Sequence, residues 1–310
     1  MTGFIFVRFG RALLTLWAVL TFTFIVMRLT GDPASQLLPD NATEEIIQRF
    51  RARWGLDQSI FTQYLIYMKN LLQFDFGVSI ANSRPALVVA LERVPATLQL
   101  TTIAFALTLA LGLPAGIICA LNRGKWPDQA LMMVSTLGYS LPNFVLGIAL
   151  VYIFALAFRL LPSSGSATAA HLVLPVITLG FSGAAVIARF TRAAVLDVLE
   201  KPYICAAMAG GESYRATILR HVLPNAAIPV VTIIGFTVGG LIGGSIIVEQ
   251  VFAWPGIGRL LVDTVGMRDF AVTQTLVMIF AVAMTAANLI VDILYGFLNP
   301  RMQGGRNGRI

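Results

Sequence analysis

Charge is scarce in this sequence. Only 12% of its 310 residues are Asp, Glu, Lys or Arg, and 57% are hydrophobic. Mean hydropathy is +0.80. Soluble domains carry roughly a quarter charged residues, so the composition excludes a soluble fold and leaves an all-α integral membrane protein. Acids are the rarer sign, 15 against 22 Lys and Arg, giving a formal net charge of +7. Basic residues interleaved with aromatics are absent, so this excess does not point to nucleic acid. It fits cytoplasmic loops rich in Lys and Arg.

The residues of metal and nucleophile chemistry are equally sparse. There are two cysteines, Cys119 in an apolar run and Cys205 beside a basic loop. They form no CxxC and no zinc spacing, and read as unpaired structural thiols. The two histidines, His171 and His221, fall on opposite membrane faces in the topology below and cannot share a metal. No H-E-x-x-H and no G-x-S-x-G occurs. The only Gly-Lys pair, Gly124-Lys125, is followed by Trp126, so no phosphate-cradling loop exists. A membrane enzyme is thereby disfavoured. An ion-coupled carrier buries acids or bases at mid-depth, and the uncharged runs between residues 94 and 188 offer none. The energy source therefore belongs to another chain, with a stand-alone carrier or channel as the alternative from a different class. Asp292 is the one clear acid near a span. It lies at the inner end, where it reads as the partner of a nearby Arg.

What the chain does have is long uncharged stretches. Residues 12–27, 94–122, 129–158, 172–188, 222–248 and 270–291 are each near or above the ~20 residues that cross the hydrocarbon. The first follows Arg8 and Arg11 but is too long for a signal-peptide core and lacks a cleavage site, so it reads as a retained span. Six spans put both termini on one side. With the termini inside, Arg8, Arg11, Arg123, Lys125, Arg189, Arg192, Lys201, Arg215, Arg220, Arg301, Arg306 and Arg309 are cytoplasmic. Only Arg159, Arg259 and Arg268 fall in the short outer loops. The positive-inside rule selects that orientation.

Four regions follow: a tail and first span (1–30), an outer segment (31–93), a core of five spans (94–300) with a cytoplasmic loop at about 189–224, and a tail (301–310). In the outer segment, Thr43-Glu44-Glu45 resembles a helix start with Gly55 as its stop. QSIFTQYLIYMKNLL (residues 58–72) places Phe61, Leu65, Met68 and Leu72 on one helical face. That face is expected to pack on the spans or on the membrane surface. Gly112, Pro114, Gly138, Pro142 and Pro175 interrupt spans, marking either a pathway or hinge, or the ordinary tolerance of membrane helices for such residues.

The cytoplasmic loop is the most distinctive stretch. The fourth span continues inward through ARFTRAAVLDVLEK to Pro202. Then Ala206, Ala207, Ala209, Gly210 and Gly211 form a surface almost without side-chain bulk. ESYRATILRHVL (residues 212–223) reads as a short amphipathic helix, with Tyr214, Ile218 and Val222 on one face and Arg215 and Arg220 elsewhere. Pro224 and Pro229 then steer the chain into the fifth span. Such a helix across the inner face is either a lever tied to two spans or an ordinary interfacial connector.

Tyr203, Ala207, Ala209, Gly211, His221, Leu223, Asn225, Ala226 and Pro229 match a pattern. They resemble the coupling ("EAA") loop of binding-protein-dependent ABC importer permeases, in the dipeptide, oligopeptide and nickel branch. Cys205 stands where that pattern places an acid. TGDPA (30–34), DFGVSI (75–80), RVPATLQL (93–100), SLPNF (140–144), EQVFAWPGIGRLL (249–261) and NLIVDILYGFLNPR (288–301) are similar in the same order. They resemble the first permease of the pair more than the second.

The resemblance implies a type I importer permease in the bacterial inner membrane. ATP and Mg²⁺ are expected on two partner ATPases, with no cofactor on this chain. A second homologous permease and a periplasmic or lipid-anchored binding protein complete the machine. The coupling residues would be Tyr203, Ala206, Ala207, Ala209, Gly210, Gly211, Arg215, Arg220 and His221. His221 on its own residues reads as a hydrogen-bonded structural group. Trp254, Pro255, Gly256 and Gly258 form a tight outer turn, either a docking surface or outer gate, or an interfacial anchor. Di- or oligopeptide is the implied solute, with nickel-chelate, glutathione and opine-like solutes as alternatives.

Overall fold

The computed structural model describes residues 2–29, 43–53 and 57–298. TGDPA, Gly55, the last residues of the NLIVDILYGFLNPR motif, the side chain of Asp292 and the arginines of the C-terminal tail lie outside the described residues. Among the described residues there are no strands, only an isolated bridge between Val78 and Pro85.

Helix α1 spans Thr2–Leu29, α2 Glu44–Arg53, α3 Ile60–Leu72, α4 Ala86–Leu91, α5 Val94–Leu121 and α6 Trp126–Ser140. Helix α7 spans Asn143–Leu150 and runs on as a π-helical segment, Val151–Ala157. Helix α8 is Ala170–Leu199, α9 Pro202–Ala209 and α10 Tyr214–Thr217, the last followed by a π-helical turn at Ile218–Val222. Helix α11 is Leu223–Val251, α12 Ile257–Gly266 and α13 Phe270–Leu298. Among the described residues five helical stretches are long and apolar enough to cross a membrane, and six if the bent pair α6–α7 counts as one span.

The third span is not the straight helix expected at 129–158. Pro142 cannot donate to the carbonyl of Gly138, Leu141 turns extended (φ −83°, ψ 124°), and α6 and α7 meet at 105°. The broken span still crosses. Asp128 at the start of α6 bonds Arg192 near the inner end of α8. Gly138 lies against Phe181 and Ala185, and Gly147 against Thr178 and Phe252. Phe154 and Leu161 reach the cluster around Leu174 and Trp254 near the outer end. Contacts thus climb α8 from one end to the other, so the pair traverses the layer and the chain crosses six times.

The frame is the pairing of α5 with α8. A Cβ on Gly112 would lie 2.8 Å from the Cβ of Ile187, and one on Gly116 2.6 Å from the carbonyl of Ala188. Reciprocally, a Cβ on Gly180 would lie 3.0 Å from the carbonyl of Ala104, and one on Gly183 2.7 Å from the hydroxyl of Thr108. Small residues from both helices let the backbones approach closely, the usual route to helix association in lipid. Thr108 Oγ1 also donates to the carbonyl of Gly180 at 3.0 Å.

Helix α3 folds back on the outer end of α1. Tyr64 and Tyr67 pack on Phe24 with ring centroids 5.4 Å apart, and Tyr64 OH meets Thr21 Oγ1 at 2.8 Å. Burial against this contact pushes the Tyr67 phenol up to about 12. Of the expected face, Phe61, Leu65 and Leu72 are exposed on this chain and Met68 is half-buried, while Tyr64 and Tyr67 carry the contact with α1. Both cysteines are free thiols, Cys119 buried and Cys205 exposed.

Candidate functional site

Two constructions stand out, one at each end of the frame. The inner one is α9. Lys201 is extended, Pro202 opens the helix, and a proline at that position costs no hydrogen bond. Ile204 is fully buried among Ala120, Val195, Val198, Ile218, Val222 and Ala226. One apolar side chain therefore pins an eight-residue helix to the inner ends of α5, α8 and α11. The opposite face, Tyr203, Ala206, Ala209, Gly210 and Gly211, is exposed, and Ala207 is half-buried.

Gly211 has φ +90°, and a Cβ there would meet nothing within 4 Å. The left-handed turn that ends α9 favours glycine, but nothing inside this chain demands the small surface before it. That surface is available to a close-approaching partner.

The expected amphipathic helix over 212–223 is corrected. Ser213 caps a helix that begins at Tyr214 and passes through the π-helical turn straight into α11. The stretch is the inner extension of the fifth span, and the surface-lying helix is α9. Ile218 and Val222 are buried while Tyr214 is 54% exposed, so the three do not share one buried face. Pro224 lies just after the π-helical turn, Ile218–Val222, inside this continuous stretch, and the wider turn before it accommodates the missing N–H. Arg215 is exposed. His221 Nε2 pairs with Glu212 Oε2 at 2.8 Å, and Arg220 lies 3.5 Å from the same carboxylate. Arg220 and His221 therefore tie the loop after α9 to the base of α11.

Around this loop the basic residues are mostly paired. Arg192 grips buried Asp128 with two bonds, 2.6 and 2.8 Å, and Asp128 also accepts from Gly124 N at 2.9 Å. Arg123 pairs with Glu200 at 2.6 Å, and Lys201 with Asp197 at 3.1 Å.

The outer construction centres on Glu249, which is fully buried. Its carboxylate accepts from Thr97 Oγ1 at 2.6 Å, Gly258 N at 2.7 Å and Arg259 N at 3.0 Å. Thr97 Oγ1 in turn accepts from Ile257 N at 2.9 Å. The carboxylate thus caps the N-terminus of α12, where unpaired N–H groups and the helix dipole favour negative charge. A Cβ on Gly256 would come within 2.4 Å of that carboxylate, and one on Gly258 within 2.6 Å of Ile246 Cα. Both glycines are there to let backbone reach the acid.

Trp254 is only 3% exposed, and its Nε1 donates to the carbonyl of Ala96 at 2.9 Å. It does not anchor the chain at a lipid interface, which corrects that expectation. The turn is a latch closing α12 onto α5. A second tie lies beside it: Ser79 Oγ donates to buried Asp269 at 2.5 Å, and Asp269 accepts from Val272 N at the start of α13 at 3.4 Å.

Glu249, Thr97, Asp128, Arg192 and Asp269 were not singled out as site residues from sequence. The signal was there in part. The RVPATLQL motif contributes Thr97 to the acid of EQVFAWPGIGRLL, and DFGVSI contributes Ser79 to Asp269. The first tie joins two of the motifs; the second reaches Asp269, which lies outside them. Among the described residues no group of three or more His, Cys, Asp and Glu could hold a metal ion.

Residues 112–304 match the family described as binding-protein-dependent transport system inner membrane component. Residues 1–101 match the N-terminal family of the same components. The chain belongs to this permease family. The glutathione transport system permease protein GsiC of Escherichia coli (strain K12) is 43% identical over 286 residues, 92% of this chain and 93% of GsiC. GsiC of Shigella dysenteriae serotype 1 (strain Sd197) matches equally.

Among solved structures, the inward-facing MetNI methionine ABC transporter superposes with a TM-score of 0.59 at 20% identity, over 70% of this chain and 99% of that one. An amino acid ABC transporter solved with histidines gives 0.52 at 18%, over 69% and 94%. These two show the fold alone. The permease is thus a multi-pass inner-membrane transport subunit of an ABC importer and not itself an enzyme. Membership of the family implies ATPase and substrate-binding partners.

Proposed function

We propose that this permease imports short peptides, glutathione among them, through a pore shared with a second homologous permease. The observation that carries the solute class is the 43% identity to a glutathione permease across 92% of the chain. ATP and Mg²⁺ act on two ATPase subunits beneath it. Helix α9 with its cap is the surface they hold: the exposed Tyr203, Ala206, Ala209 and Gly210 and the turn at Gly211 meet the ATPase, with Ala207 at the edge of that contact. Arg215 flanks it, and Arg220 and His221 keep the loop attached to the fifth span through Glu212. Closure of the ATPase pair then moves the inner ends of α5, α8 and α11 together, a population shift between inward- and outward-open states.

At the outer face, Trp254, Pro255, Gly256 and Gly258 hold the latch that positions α12 for gating beneath a periplasmic or lipid-anchored binding protein. By this reading, residues 1–30 serve as tail and first span, 31–93 as an outer segment, 94–300 as the working core and 301–310 as a tail. The test is reconstitution with the neighbouring permease, ATPases and binding protein in proteoliposomes. ATP-dependent uptake of glutathione or dialanine is expected. Uptake by this chain without any ATPase would overturn the reading in favour of a stand-alone carrier.

A further inference from the structure

A cleft of about 300 Å³ opens between α6 and α8, lined by Tyr139, Val186, Arg189, Phe190 and Ala193. Val186, Arg189, Phe190 and Ala193 follow helical spacing and so share one face of α8. The guanidinium of Arg189 lies 5.1 Å over the centre of the Tyr139 ring. Arg123, Arg192, Lys201 and Arg220 all have carboxylate partners. Among the described residues Arg189 has none, although it belongs to a helix that crosses the membrane. Arg189 follows directly on the uncharged run 172–188, at the cytoplasmic end of that helix, and its guanidinium donors are left for an anionic group.

The neighbouring backbone says which way the cleft faces. Two residues beyond Tyr139 the helix breaks at Leu141–Pro142, with Leu141 39% and Tyr139 60% exposed on this chain. Pro142 leaves the carbonyl of Gly138 without its helical partner. Broken backbone does not face hydrocarbon; it is covered by protein or lines water. Discontinuous helices also form the solute sites of other transporters. The face carrying Tyr139 and Arg189 is therefore turned away from lipid, toward protein or water.

From this geometry we propose that Arg189, held by Tyr139, is a carboxylate-recognising station on the translocation pathway, just inside the break of the third span. A guanidinium offers two parallel donors that match a carboxylate, and the rings of Tyr139 and Phe190 supply flat surfaces for peptide planes. The inference rests on the short-peptide reading above and adds the group recognised, the free carboxylate.

The test uses the assembled complex in proteoliposomes with glutathione and dialanine as probes. Arg189→Gln lowers uptake of both about tenfold, the loss of one charge-assisted bond, while Arg189→Lys retains part of it. Independently, Ala193→Cys in a Cys119→Ser, Cys205→Ser background is labelled with anionic and cationic methanethiosulfonates. The anionic reagent reacts faster, Arg189→Gln removes that preference, and glutathione slows the labelling. Equal rates for the two reagents, or wild-type uptake by Arg189→Gln, overturns the proposal. A preference that depends on anionic lipid in the vesicles also overturns it, because the site then binds a lipid phosphate. If the unmodified complex moves neither probe, the peptide reading fails, and the charge preference at Ala193→Cys is judged without it.

Discussion

Replacing Thr97 by Val removes one hydroxyl with two jobs at the outer latch. Thr97 Oγ1 donates to Glu249 at 2.6 Å and accepts from Ile257 N at 2.9 Å. Valine keeps the volume, so cavity terms are small and the loss is polar. A bond to a charged group contributes about 1.5–3 kcal/mol, and a buried N–H left unpaired costs about 1–3 kcal/mol. Some relaxation of α12 offsets part of this, and a net loss of about 3 kcal/mol follows. The control is Thr101→Val, four residues along, whose hydroxyl bonds only carbonyls of its own helix, Thr97 at 2.8 Å and Leu98 at 3.3 Å. That change costs well under about 1 kcal/mol. The assay is resistance of the purified chain in detergent to SDS unfolding, with limited proteolysis after Arg259 as a local readout. Equal midpoints for the two variants, with no faster cleavage in Thr97→Val, would refute the latch.

Three further outcomes follow from the inner end. Asp128→Asn weakens the two-bond grip of Arg192, whose side chain keeps 28% exposure. Solvent screening holds the loss to about 1–3 kcal/mol, and Asp128→Asn with Arg192→Gln recovers part of it in a double-mutant cycle; strict additivity would contradict the pairing. Ile204→Ala empties the one buried anchor of α9, a loss of about 2–5 kcal/mol confined to that helix. The complex should then hydrolyse ATP without importing solute, and normal coupling would contradict the anchor. A Cβ on Gly211 meets no atom within 4 Å, although φ +90° strains any side chain there, by about 1–2 kcal/mol. Gly211→Arg should insert yet fail to co-purify with the ATPases, while the equally strained Gly211→Ala still does; intact association and uptake by Gly211→Arg would remove α9 from the contact.

Much of the fold was legible because lipid imposes it. Uncharged runs located six crossings, and Lys and Arg oriented them. The angle in the third span was not legible. Pro142 announces a break, but the 105° bend is set by what α7 packs against, Phe252 and Thr178 near Gly147, far away in sequence. The stretch at 212–223 was misread for a related reason. Pro224 and Pro229 look like stops, yet the helix runs through both: the π-helical turn before Pro224 absorbs the change of register, and membrane helices tolerate an internal proline such as Pro229. At the inner site the small residues Ala206 to Gly211 were visible, while the anchor Ile204 was one more apolar residue among many. Glu249 was quoted only as a motif and span terminus because its partner Thr97 lies 152 residues away.

The α5–α8 seam has one further consequence. The two helices are 28 and 30 residues long, so each extends about 42–45 Å. Glycines lock them against sliding, with Ile204 docked at one extremity and Thr97 at the other. On the proposed function, the pair is a strut carrying a handle on the cytoplasmic side and a shutter on the far side. A seam packed this closely resists sliding, so on that reading displacement passes along the pair, and opening below and closing above are a single tilt. Alternation of access then needs no relay of side-chain switches, and the stiffness of one seam sets how faithfully the two faces stay out of phase.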